Sequence, residues 1–183
     1  MQRKLSGCLK ELLRSVAHVE NLELGPWCIV CLSVLELEGW QPPPSSLKFL
    51  QLSTTLKQLD FPGVCRFLPS SSDLETLVID GWTYHSRDLL SRYTNENEQT
   101  RRFETHNFNC SFSHLKTIKI HNFNGYVMPL VKYLLENATV LERFVIAAKL
   151  ERGGEPQDYV KMTQEFQSFP RSSPHASVVF SYR

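Results

Sequence analysis

LKTIKIHNFNGYVMPLVKYLLENATVLERFVI, from Leu115 to Ile146, is the stretch that decides how this chain is to be read. It opens with Leu115-x-x-Ile118-x-Ile120 and closes with Leu141-x-x-Phe144-x-Ile146, one small apolar pattern used twice. Alternating apolar residues at the two ends predict strands. Between them Val127, Leu130, Val131, Leu134 and Leu135 recur at spacings of three and four, which predicts an amphipathic helix.

Working outward, the same helix-to-strand junction appears twice more. LLRSVAHVENLEL from Leu12, FLPSSSDLETLVI from Phe67 and LLENATVLERFVI from Leu134 align without a gap. A glutamate recurs in each as Glu20, Glu75 and Glu142, and an earlier apolar position matches at Leu9, Val64 and Val131. Repeat starts at Val19, Leu47, Leu74, Leu115 and Leu141 give steps of 28, 27, 41 and 26 residues. Three of the four fall in the range of about 20–29 residues expected of a leucine-rich repeat. The expected fold is therefore α/β: a short, irregular leucine-rich-repeat solenoid, with parallel strands on one face and helices on the other. The long step holds YTNENEQTRRFETHN, residues 93–107, whose polarity predicts an exposed, mobile loop. Between residues 25 and 62 the register is ambiguous, because Leu32-x-x-Leu35-x-Leu37 and Leu56-x-x-Leu59-x-Phe61 also match the strand pattern. Pro42-Pro43-Pro44 reads as a rigid connection.

Residues 4–17 place Leu5, Cys8, Leu9, Leu12, Leu13 and Val16 on one helical face. Trp27, Trp40 and Trp82 each stand three residues after an apolar pattern, and Phe123 follows Ile120 in the same way. These rings are expected to stack as core along a turn edge, with Gly39, Gly81 and Asn122 just before them supplying turn conformations. After Ile146, Gly153-Gly154 predicts a turn and Pro156 a second helix with Tyr159, Met162 and Phe166 on one face. PRSSP at 170–174 breaks the chain before a final strand, Ala176 to Ser181.

HLKTIKI, the Phe123-Asn-Gly125 turn, LVKYLLENATVLERFVI and FPRSSPHASVVF together resemble the FBD domain of plant F-box/leucine-rich-repeat proteins. The resemblance implies a leucine-rich-repeat region over residues 1–107 and an FBD domain over 108–183. In that family an N-terminal F-box binds the Skp adaptor of a cullin ubiquitin ligase, and the repeats recruit the protein to be ubiquitinated. No F-box is expected in this chain, since residue 5 already reads as part of a repeat helix. The resemblance thus implies a non-catalytic protein-recognition module, the substrate-binding part of a Skp–cullin–F-box receptor. The alternative is an F-box-less scaffold or degenerate member without ligase coupling; a small-ligand receptor is a third reading.

Bulk properties narrow the remaining classes. A net charge of +1 over 183 residues argues against general nucleic-acid or membrane-surface binding. No apolar run reaches the roughly 18 residues of a membrane span. Five irregularly spaced cysteines do not read as a secreted disulfide framework, so an intracellular location, nucleus or cytoplasm, is expected. Cys28-Ile-Val-Cys31 has no second pair to complete a zinc site, and its cysteines are expected in or beside the core. His106, His114 and His121 match no metal or catalytic spacing. Neither enzyme activity nor a metal or cofactor is expected. The candidate functional surface is the sheet face, where strand residues between the buried positions point outward. Glu23, Glu36, Glu38, Thr76, Val78, Asp80, Lys119, His121, Arg143 and Val145 are assigned to it, acidic towards the N-terminus and basic towards the C-terminus. Such a gradient would orient a dipolar protein partner.

Overall fold

A computed structural model describes residues 2–54, 57–81, 90–106, 108, 110–123, 127–148 and 156–182. Leu56, Trp82, Gly125 and Gly153-Gly154 lie outside the described residues, as do the side chains of Leu5 and Phe123.

The apolar triplets set the sheet. Leu22, Leu24; Leu50, Leu52; Leu77, Ile79; Ile118, Ile120; and Phe144, Ile146 come from β1 (Asn21–Leu24), β2 (Phe49–Thr54), β3 (Thr76–Gly81), β4 (Thr117–Phe123) and β5 (Arg143–Ala148). Apart from the half-buried Leu22, all of these are at most 2% exposed. With β6 (Ser177–Tyr182) the strands form one parallel six-stranded sheet in sequential order. The register keeps the triplets level: Leu24, Leu52, Ile79, Ile120, Ile146 and Phe180 form one row. The sheet continues unbroken from β3 to β4, on either side of residue 107. Full burial of each such side chain contributes about 1.5–3 kcal/mol, so a slip of one residue, which would turn every row outward, is strongly disfavoured.

A backbone device holds the strand starts in step. The carbonyl of Glu20 accepts from the N–H groups of Lys48 and Phe49, that of Lys48 from Glu75 and Thr76, and that of Glu75 from Lys116 and Thr117. Lys116 then receives Glu142 and Arg143 in the same way. The side chains along this rung alternate in sign: Glu20, Lys48, Glu75, Lys116, Glu142. Lys48 Nζ lies 2.7 Å from Glu20 Oε1, and that bond holds the ammonium pKa above its ordinary value. The glutamate that recurs in the sequence is thus every second rung.

Among the described residues, six α-helices accompany the sheet: α1 (Gln2–Ser15), α2 (Pro26–Leu37), α3 (Phe61–Phe67), α4 (Glu96–Thr105), α5 (Met128–Asn137) and α6 (Pro156–Ser168). Leu9, Leu13, Ile29, Val64, Val131, Leu134 and Phe166 join the inward strand residues in one core cluster. Phe166 meets Phe144 and Phe180 at 5.6 and 6.4 Å, which docks α6 under β5 and β6. The end of α5 is satisfied from outside: Asn137 O accepts from Phe112 N, Leu135 O from Ser172 N, and Glu136 O from the Ser172 hydroxyl. PRSSP is therefore more than a break in the chain; it supplies partners for carbonyls that a helix cannot pair internally.

Several expectations need correction. Leu32, Leu35 and Leu37 belong to α2, not to a strand. Gly25-Pro26 starts that helix, with Pro at the position where its missing N–H costs nothing. Ile29, Leu32, Ser33, Leu35 and Glu36 are its buried residues, recurring at helical spacings of three and four. Gly39, at φ 75°, ends it, with Trp40 N–H on Leu35 O and Gly39 N–H on Glu36 O. The positive φ expected there is real, but it ends a helix. Leu59 and Phe61 fall in a 3₁₀ turn and in α3. Trp27 is 59% exposed on α2, so the aromatic stack is not formed there. The stretch 93–107, expected as a mobile loop, contains α4. On α1, Leu9 and Leu13 are buried, whereas Leu12 is 48% exposed and Cys8 is exposed, so the predicted stripe is only partly used.

Candidate partner-binding face

Strand alternation leaves three rows on the side of the sheet opposite those buried residues. The central row runs Glu23, Gln51, Val78, Lys119, Val145, Val179 across all six strands. Beside it run Asn21, Phe49, Thr76, Thr117, Arg143, Ser177 on one flank and Ser53, Asp80, His121, Ala147, Ser181 on the other. Glu23 and Arg143 are exposed; Lys119, His121, Asp80 and Val145 are half-buried by their neighbours. Val78 is 8% exposed, Val145 half-buried and Val179 38% exposed, so three valines, with Lys119 between the first two, make up the β3-to-β6 part of the central row. Acidic groups lie on β1 and β3, basic groups on β4 and β5.

Five of the seven charged or titratable residues singled out from the sequence share this surface: Glu23, Asp80, Lys119, His121 and Arg143. Gln51 Nε2 donates to Glu23 Oε1 at 3.4 Å, and Asn122 Nδ2 to Asp80 Oδ1 at 2.6 Å. Asn122 does this from φ 54°, at a register shift between His121 and Phe123. A left-handed asparagine inside a strand bulge re-aims its amide at the neighbouring strand.

Glu36 and Glu38 are not on the face. Glu38 caps the C-terminus of α2, with Lys10 at 3.8 Å. Glu36 is buried beneath α4, its Oε1 accepting from Arg102 Nη2 at 2.8 Å. Its Oε2 lies 2.8 Å from Nη1 without accepting a hydrogen bond, so that second contact is ionic, and Nη1 donates to Gln99 Oε1 at 3.0 Å. Both glutamates were assigned outward by strand alternation, and α2 is a helix.

The face residues missed from the sequence are Phe49, Gln51 and Ser53 on β2, Ser177, Val179 and Ser181 on β6, and singly Asn21, Thr117 and Ala147 on β1, β4 and β5. Both β2 and β6 carried the signal, since Leu47-x-x-Leu50-x-Leu52 and Ala176 to Ser181 have the alternation.

The other candidate groups have structural surroundings. Cys28 and Cys31 lie one turn apart on α2 beside the core, and burial raises both thiol pKa values. Among the described residues no three His, Cys, Asp or Glu side chains converge as a metal site, and no helix is long and apolar enough to cross a membrane. His114 is exposed, its Nδ1 3.0 Å from Ser72 O. Cys65 is fully buried, which pushes its thiol well above the ordinary range. Tyr133 donates to Phe108 O at 3.1 Å and lies 3.3 Å from Cys110 Sγ; burial drives its phenol pKa upward.

Comparison with known proteins bears on this geometry. Residues 104–146, from the end of α4 into β5, match the FBD family model. An F-box/LRR-repeat protein of Arabidopsis thaliana is 38% identical over 71 residues, which is 39% of this chain and 16% of that protein. The chain therefore spans a small part of that relative's length. No solved structure matches. The two matches support the plant F-box/FBD/leucine-rich-repeat family.

Proposed function

We propose that this chain, as a relative of plant F-box/FBD/leucine-rich-repeat proteins, is a non-catalytic protein-recognition module. In this reading its strand–helix units are a short, irregular leucine-rich-repeat solenoid, and it captures a protein partner on the outer face of the sheet. The observation that carries the reading is the row Glu23, Gln51, Val78, Lys119, Val145, Val179, with valine at three positions and with the acidic and basic groups of the face sorted to different strands. A broad surface of that kind fits a protein partner better than a small molecule, because apolar side chains interleaved with sorted charge give both affinity and register.

The ligase part of the proposal is that the partner is a substrate presented to a Skp–cullin–F-box assembly, in the nucleus or cytoplasm. Its support is the name of the Arabidopsis relative, the FBD match, and five cysteines that are all unpaired. The test has two arms. Reversing charge at Glu23, Asp80, Lys119 and Arg143 together should abolish partner capture while leaving the thermal unfolding transition cooperative. Capture at undiminished yield would remove the sheet face from the account. For the ligase arm, the intact cellular protein should co-precipitate a Skp adaptor; its absence would leave a scaffold without ligase coupling.

A further inference from the structure

A groove of about 530 Å³ lies on the helical side of the molecule, between α4, α5 and α6, away from the sheet face. Aromatic rings line it. Phe103 stands 6.0 Å from Tyr133 and 6.2 Å from Phe108, and His106 lies 5.6 Å from Phe108. Phe169 lines it from just beyond α6. Phe103, Tyr133 and Phe169 are half-buried, so part of their ring surface remains open to a ligand; Phe108 is half-buried as well, with Arg66 over one face of its ring.

Charge selects the occupant. Each of the three helices contributes one exposed glutamate to the rim: Glu104 from α4, Glu136 from α5 and Glu165 from α6. Against these three carboxylates, Lys132 is the one Lys or Arg among the described lining residues, 4.0 Å from Glu136. Aromatic faces bordered by carboxylates attract a cation twice over, through the ring quadrupole and through charge. The chain already uses such rings in this way with its own guanidinium groups. Arg66 lies over Phe108 at 5.7 Å and Arg171 over Phe166 at 6.0 Å. A planar guanidinium stacks on a ring and forks to a carboxylate at once, which a lysine ammonium does not.

We infer that this groove is a second binding site, taking an arginine side chain of a partner protein. It is independent of the sheet face and of the function proposed for it. Most of its lining falls within residues 104–146, so the FBD-matching segment would carry a recognition site of its own.

The test uses the whole chain, labelled with ¹⁵N and titrated with the capped peptide acetyl-Gly-Arg-Gly-amide. Matching peptides carrying Gln or Lys in place of Arg serve as the neutral and the ammonium comparison. Shifts from the Arg peptide should map to α4, α5 and the end of α6. The variant E104Q/E136Q/E165Q, altered only at exposed positions, should bind about tenfold more weakly, the sum of three exposed charge contacts. The variant K119E/R143E should bind as the unaltered chain does. Equal binding of the Gln peptide, undiminished binding by the triple glutamine variant, or shifts confined to the sheet would overturn the site. Equal binding of the Lys peptide would overturn its assignment to arginine.

Discussion

Arg102 is the single side chain on which most depends in the polar interior. It holds the Glu36 carboxylate, 3% exposed, and the Gln99 amide, whose Nε2 donates in turn to Leu59 O at 3.1 Å. Removing one partner of a buried pair leaves an uncompensated charge, and Arg102 keeps 20% exposure, so some solvent would reach the site. Arg102→Ala should therefore cost about 2–3 kcal/mol in urea unfolding, somewhat less than for a fully buried pair. Replacing both partners, Glu36→Leu with Arg102→Met, should recover most of that loss. A second expectation concerns alkaline pH. Burial raises the pKa of the Cys65 thiol and the Tyr133 phenol above their ordinary values of 9.0 and 10.0. In the unfolded chain these groups release their protons first, so the stability they lend is complete below pH 9 and falls as pH rises further. The fall approaches about 1.4 kcal/mol per pH unit for each group once its unfolded form has ionised. Unfolding free energies at pH 8, 9 and 10 would show this, and Cys65→Ala should make the fall shallower without abolishing it, since burial also raises Cys28, Cys31 and Cys110.

At the scale of elements, the close approach of α2 and α3 sets a sharp requirement. A Cβ at Gly63 would lie 2.7 Å from both the Cα and the N of Ser33, backbone atoms that cannot swing away. Gly63→Ala should cost about 1–3 kcal/mol, as overpacking does, with the loss read from the chemical-denaturation midpoint. The strands were legible in the sequence because their inward residues are apolar at period two and level in every repeat. The helices α5 and α6 were legible from apolar residues three and four apart. Two helices were hidden for different physical reasons. In α2 the residues Leu32 and Leu35 satisfy a strand triplet and a helical stripe equally, and only Gly25-Pro26 before it and Gly39 after it tell the two apart. In α4 the inward face is Gln99, Arg102 and Phe103, which presents almost no apolar periodicity. Its legible signal was the cap: Asn95 Oδ1 accepts from Glu98 N–H at 2.9 Å, and Glu96 and Glu98 sit in the first turn. Amide exchange should accordingly protect α4 from Gln99 onward, and Arg102→Ala should lose that protection before the sheet does.

For the molecule as a whole, two surfaces face opposite ways, a six-stranded sheet face with sorted charge and an aromatic groove bordered by glutamates. The first could be read in part from alternation alone, which is why Glu23, Asp80, Lys119, His121 and Arg143 meet on it. Glu36 and Glu38 were misassigned with α2. The groove could not be read from sequence at all, since it joins Phe103 on α4, Tyr133 on α5 and Phe169 just after α6, a packing no local pattern states. The central claim, that a protein partner is captured on the sheet, is tested most directly by photo-crosslinking in cells. A benzophenone side chain would be placed at Val145, in the central row of the face, and separately at Val160, 54% exposed on α6. The account predicts a discrete adduct from Val145 that disappears when Lys119 and Arg143 are changed to glutamate. Adducts from Val160 with none from Val145 would contradict it.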